Sequence, residues 1–238
     1  MTKRRFWAVI PAAGSGARMQ APVPKQYLML AGKKLIEHVL EKIGNHSRIS
    51  GVVVAISAQD QWWQEVSLNS RAPVMRVTGG SERCHSVLAG LARLRDVARS
   101  EDWVLVHDAA RPCLPQQDLD RLLAELSDHP VGGLLALPVR DTIKRDDGQR
   151  TVTATVEREG LWHALTPQMF RYDALREALE AVIATDRIVT DEAQAMELAG
   201  AKPRLVEGSA ENIKITCPQD LALAEFYLRL RQEMQECA

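Results

Sequence analysis

Short apolar runs rich in β-branched residues alternate along this chain with longer stretches in which apolar residues recur every three or four positions, and no other feature restricts the fold as much. Phe6 to Ile10 precedes a helical period over Leu35 to Ile43, Val52 to Ile56 precedes another in the segment before Ser70, and Trp103 to Val106 precedes one over Leu119 to Leu126. Repeated βαβ units of this kind give an α/β fold whose mostly parallel sheet is covered by helices on both faces.

Further elements follow from the same reading. Glu82 to Val97 sets Val87, Leu88, Leu91, Leu94 and Arg95 at offsets of three and four, which predicts an amphipathic helix after the Gly79-Gly80 break. Val131 to Leu137 is a buried strand closed by Pro138. Thr142 to Lys144 and Thr151 to Val156 alternate polar and apolar residues around Asp146-Asp147-Gly148-Gln149, the pattern of a β-hairpin. Its charge and threonine content predict an arm that projects from the body and needs a partner for its apolar side, which a second copy of the chain would supply. Helices are expected over Tyr172 to Ile183, Asp191 to Leu198 and Pro218 to Gln232, with a short strand near Leu205. Residues 1–238 read as one domain, with the arm spanning residues 138–160.

Charge excludes some partners. Thirty Lys and Arg face 31 Asp and Glu, a net of -1, so no long-range field draws the chain to a nucleic-acid backbone. Aromatic residues make up 5%, too few for a platform that stacks single strands. Cys84, Cys113, Cys217 and Cys237 are scattered, without a C-x-x-C pair or a nearby histidine, which suits reduced thiols in a cytoplasmic protein better than a metal site. The basic start Thr2-Lys3-Arg4-Arg5 leads into an apolar run too short for an export signal, and no membrane span is expected.

The most informative local motif is Ala8-Val9-Ile10-Pro11-Ala12-Ala13-Gly14-Ser15-Gly16-Ala17-Arg18-Met19, a strand running directly into a loop of small residues. Backbone N–H groups in such a loop can cradle phosphate oxygens. Met19 stands where the dinucleotide fingerprint needs its third glycine, and Gly32-Lys33-Lys34 fails the Walker A ending, so neither of those readings holds. Two cations follow the glycines, Arg18 and then Lys25 within Pro22-Val23-Pro24-Lys25-Gln26-Tyr27, and the prolines between them stiffen the segment. A triphosphate suits that arrangement.

Pro11-Ala12-Ala13-Gly14-x-Gly16-x-Arg18-Met19 with Pro24-Lys25-Gln26-Tyr27 resembles the nucleotidyltransferases that join a nucleoside triphosphate to a small phosphorylated alcohol, and within them the 2-C-methyl-D-erythritol 4-phosphate cytidylyltransferase family. The resemblance continues through Gly79-Gly80-x-x-Arg83, Val106-His107-Asp108-Ala109-Ala110-Arg111-Pro112, Pro138 to Thr142, Leu161 to Gln168, Thr190-Asp191-Glu192 and Asn212-Ile213-Lys214. It implies a Rossmann-like fold, a reaction of CTP with methylerythritol phosphate, Mg²⁺ carried mainly by the CTP phosphates, and a homodimer formed through the arm.

Residue roles come from the same resemblance. Arg18 and Lys25 look like stabilisers of the α-phosphate and the leaving pyrophosphate, while Lys214 and Arg158 resemble the groups that hold the acceptor's phosphate. Ala12, Ala13, Gly14, Gly16, Gly80, Ser81, Arg83, Ser86, Asp108 and Ala109 match the positions around CTP. Asp108, Arg111, Thr142, Thr166 and Thr190 match the acceptor side, where Thr190 also suits a helix N-cap. Asp108 could face Mg²⁺ through water or meet substrate hydroxyls; a lone carboxylate is a poor Mg²⁺ cage, so no residue is assigned as a direct metal ligand. His107 reads as structural. A related enzyme with another acceptor, such as ribitol phosphate, and a non-catalytic nucleotide-binding regulator are the competing readings; retention of Arg18, Lys25 and Lys214 argues against the regulator.

Overall fold

The computed structural model describes residues 4–14, 16, 19 and 21–236. In chain order the elements are β1 (Phe6–Ala12), β2 (Met29–Leu30), β3 (Lys33–Lys34), α1 (Leu35–Gly44), β4 (Ile49–Ile56), β5 (Val74–Thr78), α2 (Arg83–Arg93), β6 (Trp103–Val106), α3 (Gln116–Leu126) and β7 (Gly132–Pro138). They continue with β8 (Ile143–Asp146), β9 (Val152–Val156), β10 (Trp162–Arg171), α4 (Tyr172–Ile183), α5 (Glu192–Leu198), β11 (Arg204–Glu207) and α6 (Pro218–Glu236).

Seven strands form the main sheet in the order β11-β7-β10-β6-β1-β4-β5. Every neighbouring pair is parallel except the two that β10 makes with β6 and β7. Residues of β1 alternate between the two faces, as a strand buried on both sides must. Ala8, Ile10 and Ala12 pack with α1 and α3, whereas Trp7 and Val9 pack with α2, α4 and α5. Gly90 in α2 allows the helix to lie directly on β1, because a Cβ there would come within 2.5 Å of Val9. A smaller cluster of Leu30, Leu35, Cys113, Ile215 and Ala224 fastens α6 to the loops beside the sheet.

Three expectations need correction. The segment before Ser70 contains no α-helix, only a single 3-10 turn at Trp63–Glu65. Side chains take up backbone donors there instead: Asp60, within the segment, accepts from Trp62 and Trp63, Glu37 of α1 accepts from Ser67, and Asn45 accepts from Arg71 just beyond it. Residues 162–171, read as a motif without an assigned element, form the one antiparallel strand of the sheet among the described residues. Asp191, not Thr190, caps α5, accepting from the Gln194 N–H at 2.9 Å. The arm is as expected in form: β8 and β9 pair antiparallel as a separate two-stranded ribbon, largely exposed.

Chain direction explains where a ligand can sit. From β1 the chain moves outward to β4 and β5, then returns to place β6 on the other side of β1. Loops leaving β1 and β6 therefore diverge, and the crevice between them at the carboxyl ends of the strands is a topological switch point.

Candidate active site

A cavity of about 160 Å³ occupies that crevice. Its first wall is the loop after β1, closed by Gln26, whose side-chain amide donates to the Ala12 carbonyl at 2.7 Å. Gly16 has φ +68°, and a Cβ there would lie 2.7 Å from Lys25 Cγ, so glycine is required both for the backbone and to admit the lysine stem. Lys25 opens a 3-10 turn after Pro24 and donates to the Ile215 carbonyl at 3.3 Å, bridging the first loop and the segment before α6.

The second wall is Gly79-Gly80 with the start of α2. A Cβ on Gly79 would meet Ala13 Cβ at 2.7 Å, so the two loops approach this closely because that residue is glycine, and a Cβ on Gly80 would meet His85 Cβ of α2 at 2.3 Å, so the second loop turns tightly against its own helix. Ser86 Oγ accepts from the Gly80 N–H at 3.2 Å, and Ser81 Oγ lies 3.1 Å from His85 Nδ1.

The floor is a charge network built on two buried carboxylates, Asp108 and Glu192. Arg83 donates through Nε to Asp108 at 2.9 Å and through both terminal nitrogens to Glu192 at 2.6 and 2.9 Å. Lys214 Nζ lies 2.7 Å from the other Asp108 oxygen, and Arg111 Nε lies 3.9 Å from it. Burial alone would raise the Asp108 carboxyl, but the charges of Arg83 and Lys214 outweigh it and hold the group well below its ordinary range. Burial works against the Arg83 charge as well, and Glu192 and Asp108 reverse the effect, keeping the guanidinium firmly protonated. Glu192 is raised by its own burial, with Arg83 opposing the shift.

Of the residues expected around a nucleotide, Ala12, Ala13, Gly14, Gly80, Ser81, Arg83, Ser86, Asp108 and Ala109 line the cavity, together with Lys25 and Lys214. Arg111 and Thr166 lie behind it, buried: Arg111 donates to the Asn212 carbonyl at 2.6 Å, and Thr166 Oγ1 accepts from the Asp108 N–H at 3.1 Å. Thr142 and Arg158 belong to the exposed arm and Thr190 to an exposed loop, where its hydroxyl meets Gln194; none of the three lines the cavity. Arg18 lies outside the described residues.

Sequence reasoning missed the polar residues that hold the wall and floor in place. Glu192 anchors Arg83; Asn212 donates to the Thr166 carbonyl at 2.7 Å; Gln168 accepts from the Ala193 N–H and donates to Asp191. Gln26, Gln168, Glu192 and Asn212 each lie inside a motif of the sequence, but spacing carries no sign of which buried carbonyl or guanidinium a side chain will meet.

The profile of the 2-C-methyl-D-erythritol 4-phosphate cytidylyltransferase family matches residues 6–230. The chain belongs to that family. Among proteins bearing the family name, one from Vibrio vulnificus (strain YJ016) is 51% identical over 221 residues, 93% of each chain. Another from Pseudomonas putida (strain GB-1) is 55% identical over 217 residues, 91% of this chain and 92% of the relative. The crystal structure of the Francisella tularensis 2-C-methyl-D-erythritol 4-phosphate cytidylyltransferase superposes with a TM-score of 0.82 at 33% identity, covering 94% of this chain and 99% of that one. The Rossmann-like cytidylyltransferase fold therefore extends over nearly the whole chain. Among the described residues no helix is long and apolar enough to cross a membrane.

Proposed function

We propose that the chain transfers the cytidylyl group of CTP to 2-C-methyl-D-erythritol 4-phosphate, giving 4-diphosphocytidyl-2-C-methyl-D-erythritol and pyrophosphate. Family membership supports the reaction, and the observation that carries it to this site is the convergence of Lys25, Arg83 and Lys214 on one crevice between two glycine-bearing loops.

An oxygen of the acceptor's phosphate attacks the α-phosphorus of CTP; the bond to the bridging oxygen of the β-phosphate breaks, and pyrophosphate leaves with the electron pair. The nucleophile is already ionised at neutral pH, so no general base is needed, and the protein's work is alignment and charge stabilisation. In this reading the loop N–H groups at Ala12 to Gly16 and the Gly80-Ser81 backbone receive the nucleotide, Ser86 fixes the Gly80 end, and Arg18 and Lys25 stabilise charge on the α-phosphate and leaving group. Lys214 and Arg111 serve the acceptor's phosphate. Asp108 orders the cations: it fixes Arg83 and Lys214 on its two oxygens and so limits how far each can move.

Mg²⁺ belongs to the reading as an ion carried by the triphosphate. The cavity offers it Asp108, whose oxygens lie against Arg83 and Lys214, so the carboxylate is suited to contact through water and the phosphates would supply most of the ion's oxygens.

Thr142 and Arg158 take part only if the arm of a second copy brings them to the crevice. Support for such a homodimer is the arm's own exposed apolar side, with Val152 60% exposed, and the position of Arg158 at its base, where it donates to the Arg140 carbonyl.

Pyrophosphate release tests the reaction. With Mg²⁺ and CTP, rapid release is expected with methylerythritol phosphate and not with ribitol phosphate, without acceptor, or with UTP, ATP or GTP. Release with ribitol phosphate alone would overturn the acceptor. No release from folded protein that still binds CTP would make the chain a nucleotide-binding regulator.

A further inference from the structure

His107 is completely buried and touches two residues of the acceptor side. Its Nε2 lies 3.0 Å from the Arg111 carbonyl oxygen and its Nδ1 lies 2.9 Å from Thr166 Oγ1. A carbonyl oxygen accepts and never donates, so the Nε2 atom must carry a hydrogen. Burial keeps the imidazole from taking a second proton at neutral pH, lowering it to about 4. Nδ1 is then an acceptor, and the hydrogen between it and Thr166 belongs to the threonine hydroxyl.

Thr166 Oγ1 also accepts the Asp108 N–H at 3.1 Å. Its hydrogen and one lone pair are committed within the protein, and what remains is a single lone pair. Arg111 shows the opposite capacity: its buried Nε has no hydrogen-bond partner among the described residues. A phosphate monoanion or dianion offers chiefly acceptor oxygens, which match Arg111 and repel an acceptor-only hydroxyl. An alcohol offers a donor.

We propose that His107 is a positioning residue which, as the neutral Nε2–H tautomer, leaves Thr166 able only to accept, so that Thr166 meets a hydroxyl of the acceptor substrate and not its phosphate. The assignment of Thr166 to the acceptor side rests on the cytidylyltransferase reading; the tautomer does not.

Two measurements separate them. In protein labelled with ¹⁵N-histidine, long-range ¹H–¹⁵N correlation at pH 7, with the signal identified by its loss in His107→Gln, should show Nε2 protonated and Nδ1 bare. An imidazolium or the Nδ1–H tautomer overturns the proposal whatever the enzyme's activity. Kinetically, Thr166→Val should raise KM for methylerythritol phosphate about three- to tenfold, the loss of one neutral hydrogen bond to the substrate, while Thr166→Ser restores it. Inorganic phosphate, used as a competitor of the acceptor, should inhibit Thr166→Val as strongly as the parent. Weaker inhibition in parallel with the KM change would mean that Thr166 reads phosphate and would overturn the proposal.

Discussion

Asp108 and Lys214 are in contact at 2.7 Å, with the carboxylate 7% exposed and the lysine reaching it from the loop before α6. Their separation in sequence makes the contact a clasp between the loop after β6 and the loop that leads into the last helix. Removing the carboxylate leaves Arg83, Arg111 and Lys214 facing one another. We expect Asp108→Ala to lose about 3–5 kcal/mol of stability, the usual penalty for stranding a buried partner, measured by urea unfolding. A loss below about 1 kcal/mol would mean that solvent already screens the cations.

Lys25→Ala should lower turnover on the order of 10²- to 10³-fold, mainly in kcat, as removal of a preorganised charge does. Gly16→Ala should reproduce part of that loss with the lysine intact, because the added Cβ would press on the lysine stem. Steady-state kinetics of the two variants check both; near-normal kcat in Lys25→Ala would remove the residue from the reaction.

His107 sets a pH dependence of stability. The buried imidazole has been lowered to about 4 from 6.5, so between those values the unfolded chain takes up a proton that the folded chain does not. Stability from this residue is therefore complete above about pH 6.5 and is lost as pH falls towards 4, up to about 3 kcal/mol in all. Urea midpoints at pH 7 and pH 4.5 should fall further for the parent than for His107→Gln; equal falls would contradict the assignment.

Arm exchange can be tested by complementation. Arg158→Ala and Lys25→Ala homodimers should each be nearly inactive. If Arg158 serves the neighbouring subunit, random mixing puts both lesions in one site of each heterodimer and leaves the other intact, so activity should return to about a quarter of the parent level. Mixed chains that stay inactive, in dimers verified by sedimentation, would place Arg158 elsewhere.

What the sequence revealed depended on how local the cause was. β1 and α4 were legible because their own residues carry the period: Trp7 and Val9 against Ala8 and Ile10, and Leu175, Leu179 and Val182 along one helix face. β10 was not legible, since Pro167 interrupts it and a proline argues against an interior strand. The sheet accommodates the proline through a register shift between Ala164 and Gln168. In the site, glycines and cations were readable from order and type, but their holders were not. Arg83 and Glu192 are 109 residues apart, and only the fold makes them neighbours. His107 read as structural, and it is completely buried, yet its two contacts on the acceptor side could not be read from a strand's alternation.

The reversed strand β10 has a consequence for the order in which the protein can be made. As the chain leaves the ribosome, β6 has β1 beside it but must wait for residues 162–171 before its other edge is covered. Until then Trp103 to Val106 form an open, apolar edge, the kind that recruits other chains. The same late strand brings Thr166 to Asp108, so covering that edge and forming this contact of the acceptor side are one event, with Lys214 still to follow.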